Sequence, residues 1–217
     1  HSHYDKYMDA YPEQKKAFYP MVTNKGQNTA SKGATGATQV WPMDISRDIY
    51  HTNWVSQRTT SWLGTQSSDK PWFCWMSFPD PHHPWDIPAS ELHRINWKDV
   101  PLPRLYSEKR SQLESWLDEK PAHWRGYFDG SLWTNLESPR EFVPADMTAD
   151  QIREINAMTH IENELIDEAV GDVIGFLHSK QWMKNTDIFF TTDHGELQGD
   201  FGLLFKGPYH VNALMHL

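Results

Sequence analysis

Asp193 and His194 stand side by side where a β-branched and aromatic run, 186–192, gives way to Gly195 and Glu196. Inside a strand adjacent side chains face opposite ways; at its end, where the pleat is lost, both can turn toward one ion. A carboxylate with an imidazole is half of a site for Ca²⁺, Mn²⁺ or Zn²⁺, and the remaining ligands must come from elsewhere. The competing reading has the pair capping a turn. Lys206 follows the apolar residues Leu203, Leu204 and Phe205. An ammonium held there with little competing water would bind a phosphate or sulfate oxygen, the alternative being an ordinary solvated lysine. His82 and His83 lie between Pro81 and Pro84, and either ring can bond to or protonate an oxygen leaving group. Of two adjacent histidines, one usually points outward.

Other polar residues carry less. His93, His123, His160 and His178 read as surface or packing residues. Glu162, Glu164, Asp167 and Glu168 look like a carboxylate cluster, but their spacing spreads them around a helix, so a solvated polar face is the better reading. The 11 tryptophans fit core packing better than sugar stacking, because several fall in apolar stripes. Neither a phosphate-binding glycine loop nor a Gly-x-Ser-x-Gly elbow occurs.

The elements that must position these residues follow from the same pattern. Thr148 and Gln151 form a capping box, and Ile152, Ile155, Met158, Leu165, Ala169, Val173, Phe176 and Leu177 continue an apolar stripe, which predicts a long helix to about Lys180. Strand 186–192 follows, with Asp193 at its C-terminal end; helix, strand and polar turn in that order belong to an α/β sheet, whose ligands sit at that edge. The run 72–78, bounded by Pro71 and Pro79, predicts a buried strand. The prolines at 79, 81 and 84 then hold His82 and His83 in a stiff extended loop. Residues 44–64 read as helical, with Ser46 as cap, Ile49, Trp54, Arg58, Trp62 and Leu63 as stripe and Gly64 as stop. The Gly-, Ala-, Ser- and Thr-rich stretch 24–38 reads as an exposed loop, and 91–147 as an irregular excursion with a short helix at 107–117.

Composition narrows the function classes. The chain has 217 residues and a net charge of −9, with no basic run to displace counterions from nucleic-acid phosphates. Its apolar runs are far shorter than the roughly 20 residues a bilayer requires. The single Cys74 cannot form an intrachain disulfide and leaves the compartment open. Oligomeric state leaves no trace, and without an initiating Met the chain reads as part of something longer.

The blocks 77–85, 166–171, 191–196 and 199–209, in this order, resemble the sulfatase family of the alkaline phosphatase superfamily, in particular its arylsulfatase and phosphonate monoester hydrolase branch. The resemblance implies an α/β fold with a mixed, mostly parallel sheet flanked by helices, incomplete in this chain, with 1–217 as part of one catalytic domain. It implies that Asp193 and His194 are metal ligands, that Lys206 contacts the sulfate or phosphate oxygens, and that His82 faces the scissile ester oxygen. The implied cation is Ca²⁺ first, with Mn²⁺ or Zn²⁺ favoured by the imidazole; the implied substrate is a small-molecule or saccharide sulfate ester. The family's formylglycine nucleophile arises from a Cys/Ser-x-Pro-x-Arg motif that is not in these residues, since Cys74 is followed by Trp75, Met76 and Ser77. The expectation is therefore a central fragment, inactive and poorly soluble by itself, with the nucleophile and further ligands outside it. Phe201 stands where relatives often carry His. Phosphonate or phosphate ester hydrolysis, and a catalytically dead binding relative, are the alternatives.

Overall fold

A 31-residue helix, Ala149–Ser179, forms the spine of the structure, a computed structural model that describes residues 2–18, 29–67, 69–133 and 135–216. The capping box is present: Thr148 Oγ1 accepts from the Gln151 amide at 3.2 Å, and the Gln151 side chain accepts from the Thr148 amide at 2.9 Å. Two orphan donors of the first turn are thereby satisfied, which fixes where the helix starts. Among the described residues the α-helices are, in chain order, α1 (His3–Met8), α2 (Pro12–Lys15), α3 (His51–Leu63), α4 (Arg110–Asp118), α5 (Ala122–Phe128), α6 (Ala149–Ser179) and α7 (Asn212–Met215). The helix expected over 44–64 is thus α3, preceded by a short 3-10 turn that Ser46 caps and ended at Gly64. The short helix expected at 107–117 is α4, and the 91–147 stretch adds a second helix, α5.

Two apolar cores are present among the described residues. In the first, Ile155, Met158, Ile161 and Leu165 of α6 pack with Tyr50, Val40, Met43, Trp85, Ile87 and Phe205. In the second, Leu113 and Leu117 of α4 and Trp124, Tyr127 and Phe128 of α5 close on Leu197, Phe201, Leu203 and Tyr209. Phe201 therefore packs in this second core, edge-on to Trp124. Residues 39–43 run parallel to 85–89 through Trp85 N→Gln39 O, Trp41 N→Trp85 O, Met43 N→Ile87 O and Ala89 N→Met43 O, at 2.8–3.0 Å. These bonds anchor the far end of the proline loop to the first core.

Two expected strands behave differently. Residues 72–78 and 186–192 have no ladder partner among the described residues. Phe73, Trp75, Phe189 and Phe190 are 79%, 76%, 90% and 79% exposed. The β pattern is in the sequence, but a strand exists only with a neighbour to receive its backbone hydrogen bonds, so the sheet expected here is not formed among the described residues. Of the 24–38 loop, 24–28 lie outside the described residues. The remainder is not a free surface loop: Glu154 of α6 accepts from the Ala34 amide at 2.6 Å, the Thr35 amide at 3.0 Å and the Thr35 hydroxyl. No described helix is long and apolar enough to cross a membrane.

Candidate functional site

The proline loop fixes His82 through its neighbour. His83 is buried, its ring stacked on His82 at 4.2 Å between centroids and edge-on to Phe205 at 4.5 Å, while Phe205 in turn stacks on Trp85. Burial pushes the His83 imidazole down to about 2, reinforced by the charges of His82 and Lys206, so His83 is a neutral packing residue. His82 is the outward member of the pair, with a side chain 42% exposed. Its Nδ1 donates to the His83 carbonyl, which leaves Nε2 directed at Glu137 Oε2 at 3.5 Å.

Lys206 arrives at the same carboxylate from the other side. The backbone around it is tightly coiled: Gln198, Phe201 and Phe205 have φ of 50°, 58° and 66°, and Gly207 has φ of 146°. Left-handed non-glycine residues cost about 1–3 kcal/mol each and persist only where packing over-determines them; here the fully buried Phe205 supplies that packing. The Lys206 side chain is 13% exposed, and its Nζ lies 3.4 Å from Glu137 Oε2 and 3.9 Å from Glu196 Oε2. Both are ion-pair distances, and Nζ has no hydrogen-bond acceptor among the described residues. An ammonium with three donors and none used is unusual in a buried position.

Asp193 and His194 occupy the turn after 186–192. The His194 amide donates to Asp193 Oδ1 at 2.9 Å, so the turn-capping bond is present. The second oxygen, Oδ2, lies 3.5 Å from His194 Nε2. His194 Nδ1 faces the Gly195 carbonyl at 2.8 Å. A carbonyl only accepts, so Nδ1 carries a proton and Nε2 is the ring nitrogen left for a metal, the outer hydrogen bond being one a metal-binding histidine characteristically makes. Slight burial raises the Asp193 carboxyl, but hydrogen bonds from its own and the His194 amides, with the charges of His194 and Lys206, outweigh it and hold the group below its usual value. An ionised carboxylate oxygen beside an imidazole lone pair fits a divalent cation as two of its ligands.

The site thus joins His82 and Lys206 through Glu137, and sets Asp193 within the electrostatic reach of Lys206. Sequence reasoning missed two carboxylates. Glu137 sits in a stretch without periodicity or motif, and only the chain path past Asn135 and Ser138 brings it to the loop. Glu196 follows Asp193 and His194 closely, but its burial was not legible; burial pushes its carboxyl up to about 7, with Lys206 opposing and Glu137 adding to the rise. The carboxylates on α6 also separate differently from expectation. Glu162 is wholly buried rather than part of a solvated face, while Glu164 and Glu168 pair with Arg94 at 3.2 and 2.8 Å. Cys74 is half-buried, and burial raises its thiol, which agrees with an inert residue.

The chain is 25% identical over 173 residues to an arylsulfatase of Clostridium perfringens, covering 79% of this chain and 32% of that protein. It is 27% identical over 154 residues to a sulfatase of Escherichia coli, covering 70% and 27%. The chain therefore spans about a third or less of the length of these curated relatives. Its fold superposes on a phosphonate monoester hydrolase of Agrobacterium radiobacter with a TM-score of 0.74 at 20% identity, covering 97% of this chain and 39% of that structure. The sulfatase family model matches residues 1–217, and the chain belongs to the sulfatase family.

Proposed function

We propose that the protein containing this chain hydrolyses sulfate esters, and that Lys206, His82, Asp193 and His194 are this chain's share of the active site. The observation that carries the reading is the buried Lys206 ammonium, which has carboxylates at 3.4 and 3.9 Å but no hydrogen-bond acceptor among the described residues. A sulfate oxygen would satisfy its donors at a point that His82 also faces. In this reading Lys206 holds a non-bridging oxygen of the ester and offsets the charge that builds there during transfer. In this step His82 acts as the imidazolium: Nδ1 keeps its bond to the His83 carbonyl, which holds the ring, and Nε2 gives its proton to the bridging oxygen as the alcohol departs, leaving the ring neutral. Glu137 Oε2 contacts both groups without ligand, so it must swing away or be displaced when an ester oxygen enters.

Asp193 Oδ2 and His194 Nε2 would hold the divalent cation, which when bound supplies Lewis-acid polarisation. Ca²⁺ is the proposed ion on the family's preference for hard ligands, with Mn²⁺ or Zn²⁺ as the alternatives the imidazole allows. The nucleophile, expected as formylglycine, and the remaining ligands lie outside these residues. We further propose that residues 1–217 form part of one catalytic domain, that 91–147 shapes the alcohol-binding side, and that 72–78 and 186–192 are strands of a mostly parallel sheet in the complete protein. Their exposed Phe73, Trp75, Phe189 and Phe190 support that placement, since apolar faces of this kind are normally covered.

A second reading, phosphonate monoester hydrolysis, is favoured by the shared fold with a phosphonate monoester hydrolase over 97% of the chain. Rates of the intact protein on an aryl sulfate and an aryl phosphonate separate the two. Lys206→Ala should lower kcat/KM on the preferred ester by about 10²–10³-fold. Retention of wild-type kcat/KM in that variant rejects the site assignment.

A further inference from the structure

A second cluster of metal-ligating side chains, sharing no residue with Asp193 and His194, lies at the base of the proline loop. His51 opens α3, Asp80 and Asp86 bracket the loop, and Glu162 comes from the middle of α6. Asp80, Asp86 and Glu162 are 8%, 7% and 0% exposed, and the His51 side chain 12%. His51 Nε2 lies 3.4 Å from Asp80 Oδ1 and 3.5 Å from Asp86 Oδ1, and one ligand atom from each of the three residues lies within 4.8 Å of the others. A tetrahedral zinc site with bonds of about 2.0–2.2 Å has ligand–ligand edges of about 3.3–3.6 Å. Both imidazole–carboxylate edges fall in that range.

Two further observations point the same way. Asp80 Oδ2 accepts from the Tyr50 hydroxyl at 2.8 Å and from the Thr52 hydroxyl, which holds the carboxylate with Oδ1 turned to His51. Outer hydrogen bonds of this kind orient metal ligands. Glu162, wholly buried beside the Asp86 backbone, makes no well-formed hydrogen bond at either carboxylate oxygen among the described residues. Burial first, then the charges of Asp80 and Asp86 beside it, raises its carboxyl well above the usual value. No lysine or arginine among the described residues pairs with Asp80, Asp86 or Glu162. Even with His51 as the cationic partner of Asp80 and Asp86, one positive charge faces three carboxylates in a buried setting.

We propose that His51, Asp80 and Asp86 form a buried zinc site that clamps the proline loop to α3, with the buried Glu162 carboxylate of α6 beside it. The imidazole and the small ligand number select zinc over calcium, which takes 6–8 oxygens. The clamp would fix the base of the loop that carries His82. This inference stands independently of the proposed reaction.

The test uses the intact protein, stripped with chelator and titrated with zinc while the melting temperature is followed. Zinc should raise the melting temperature of the wild type and of Asp193→Ala alike, whereas Asp86→Asn should weaken the response by about 100-fold or more in zinc concentration. Tyr50→Phe, which removes only an outer hydrogen bond, should weaken it by about tenfold. An anomalous-difference map at the zinc edge from zinc-loaded wild-type crystals should place an ion among His51, Asp80 and Asp86, and this measurement does not depend on any variant folding. An empty cluster in that map, or equal zinc responses in wild type and Asp86→Asn, overturns the proposal and leaves shared protons as the source of charge balance.

Discussion

Replacing Glu137 by Gln should tighten binding of inorganic sulfate. Glu137 Oε2 lies 3.4 Å from Lys206 Nζ, 3.5 Å from His82 Nε2 and 3.9 Å from His83 Nε2, so it occupies the position an anion oxygen would take. An oxyanion bonded to Lys206 at about 2.8 Å would sit about 4 Å from that carboxylate. Repulsion between unit charges at this distance is about 1 kcal/mol at the dielectric of water and about 4 kcal/mol at an effective value of roughly 20. The Glu137 side chain is 40% exposed, which places the interaction toward the watery end. A gain of about 1 kcal/mol is about fivefold in affinity, and a second charge on the anion enlarges it. Calorimetric titration of the intact protein with sulfate at pH 7, wild type against Glu137→Gln, measures this directly. The gain should shrink with added salt and vanish when Lys206 is replaced by Ala as well. Unchanged or weaker sulfate binding in Glu137→Gln would refute the view that this carboxylate occupies an anion site.

Glu154→Gln should destabilise the fold by about 1–3 kcal/mol in denaturant titration, because the amide cannot accept from both the Ala34 and Thr35 backbone N–H groups that the carboxylate now serves; an unaltered midpoint would contradict the pinning of this loop to α6. Gly202→Ala should cost about 2–4 kcal/mol. Gly202 has φ of 69°, and a Cβ there would meet Leu113 Cδ1 at 2.8 Å and Phe128 Cε2 at 2.9 Å. Stability should also fall in acid through Glu168. The Arg94 guanidinium lowers its carboxyl first, against slight burial, and Arg47 adds to the effect. A folded value below the unfolded value of about 4.3 means the contribution is complete above that pH and is lost as pH falls through the folded value. Glu168→Gln should flatten the stability–pH curve in that window, and an equally steep curve would refute the assignment.

The helices α3, α4 and α6 were legible because their determinants are local, whereas α1, α2, α5 and α7 were not foreseen. Thr148 and Gln151 sit three residues apart and cap α6 whatever lies elsewhere, and Gly64 ends α3 by the same short-range chemistry. Residue types made Asp193, His194, Lys206 and His82 candidates for cation and anion binding before any fold is known, and the resemblance to the sulfatase family supplied the roles expected of them. What the sequence did not reveal depends on contacts far apart along the chain. The runs 72–78 and 186–192 carry a strand pattern, but pairing requires a partner backbone, and none is present among the described residues. Glu137 reaches Lys206 from 69 positions away along the chain rather than through any local repeat, as the ion pair between residues 137 and 206 shows. Glu162 looked like its neighbours Glu164 and Glu168 on a solvated helix; only the packing of α6 against α3 and the proline loop turned it inward to Asp80 and Asp86. Periodicity and capping are short-range and therefore written in the sequence, whereas burial and charge environment are sums over neighbours that only the folded chain assembles.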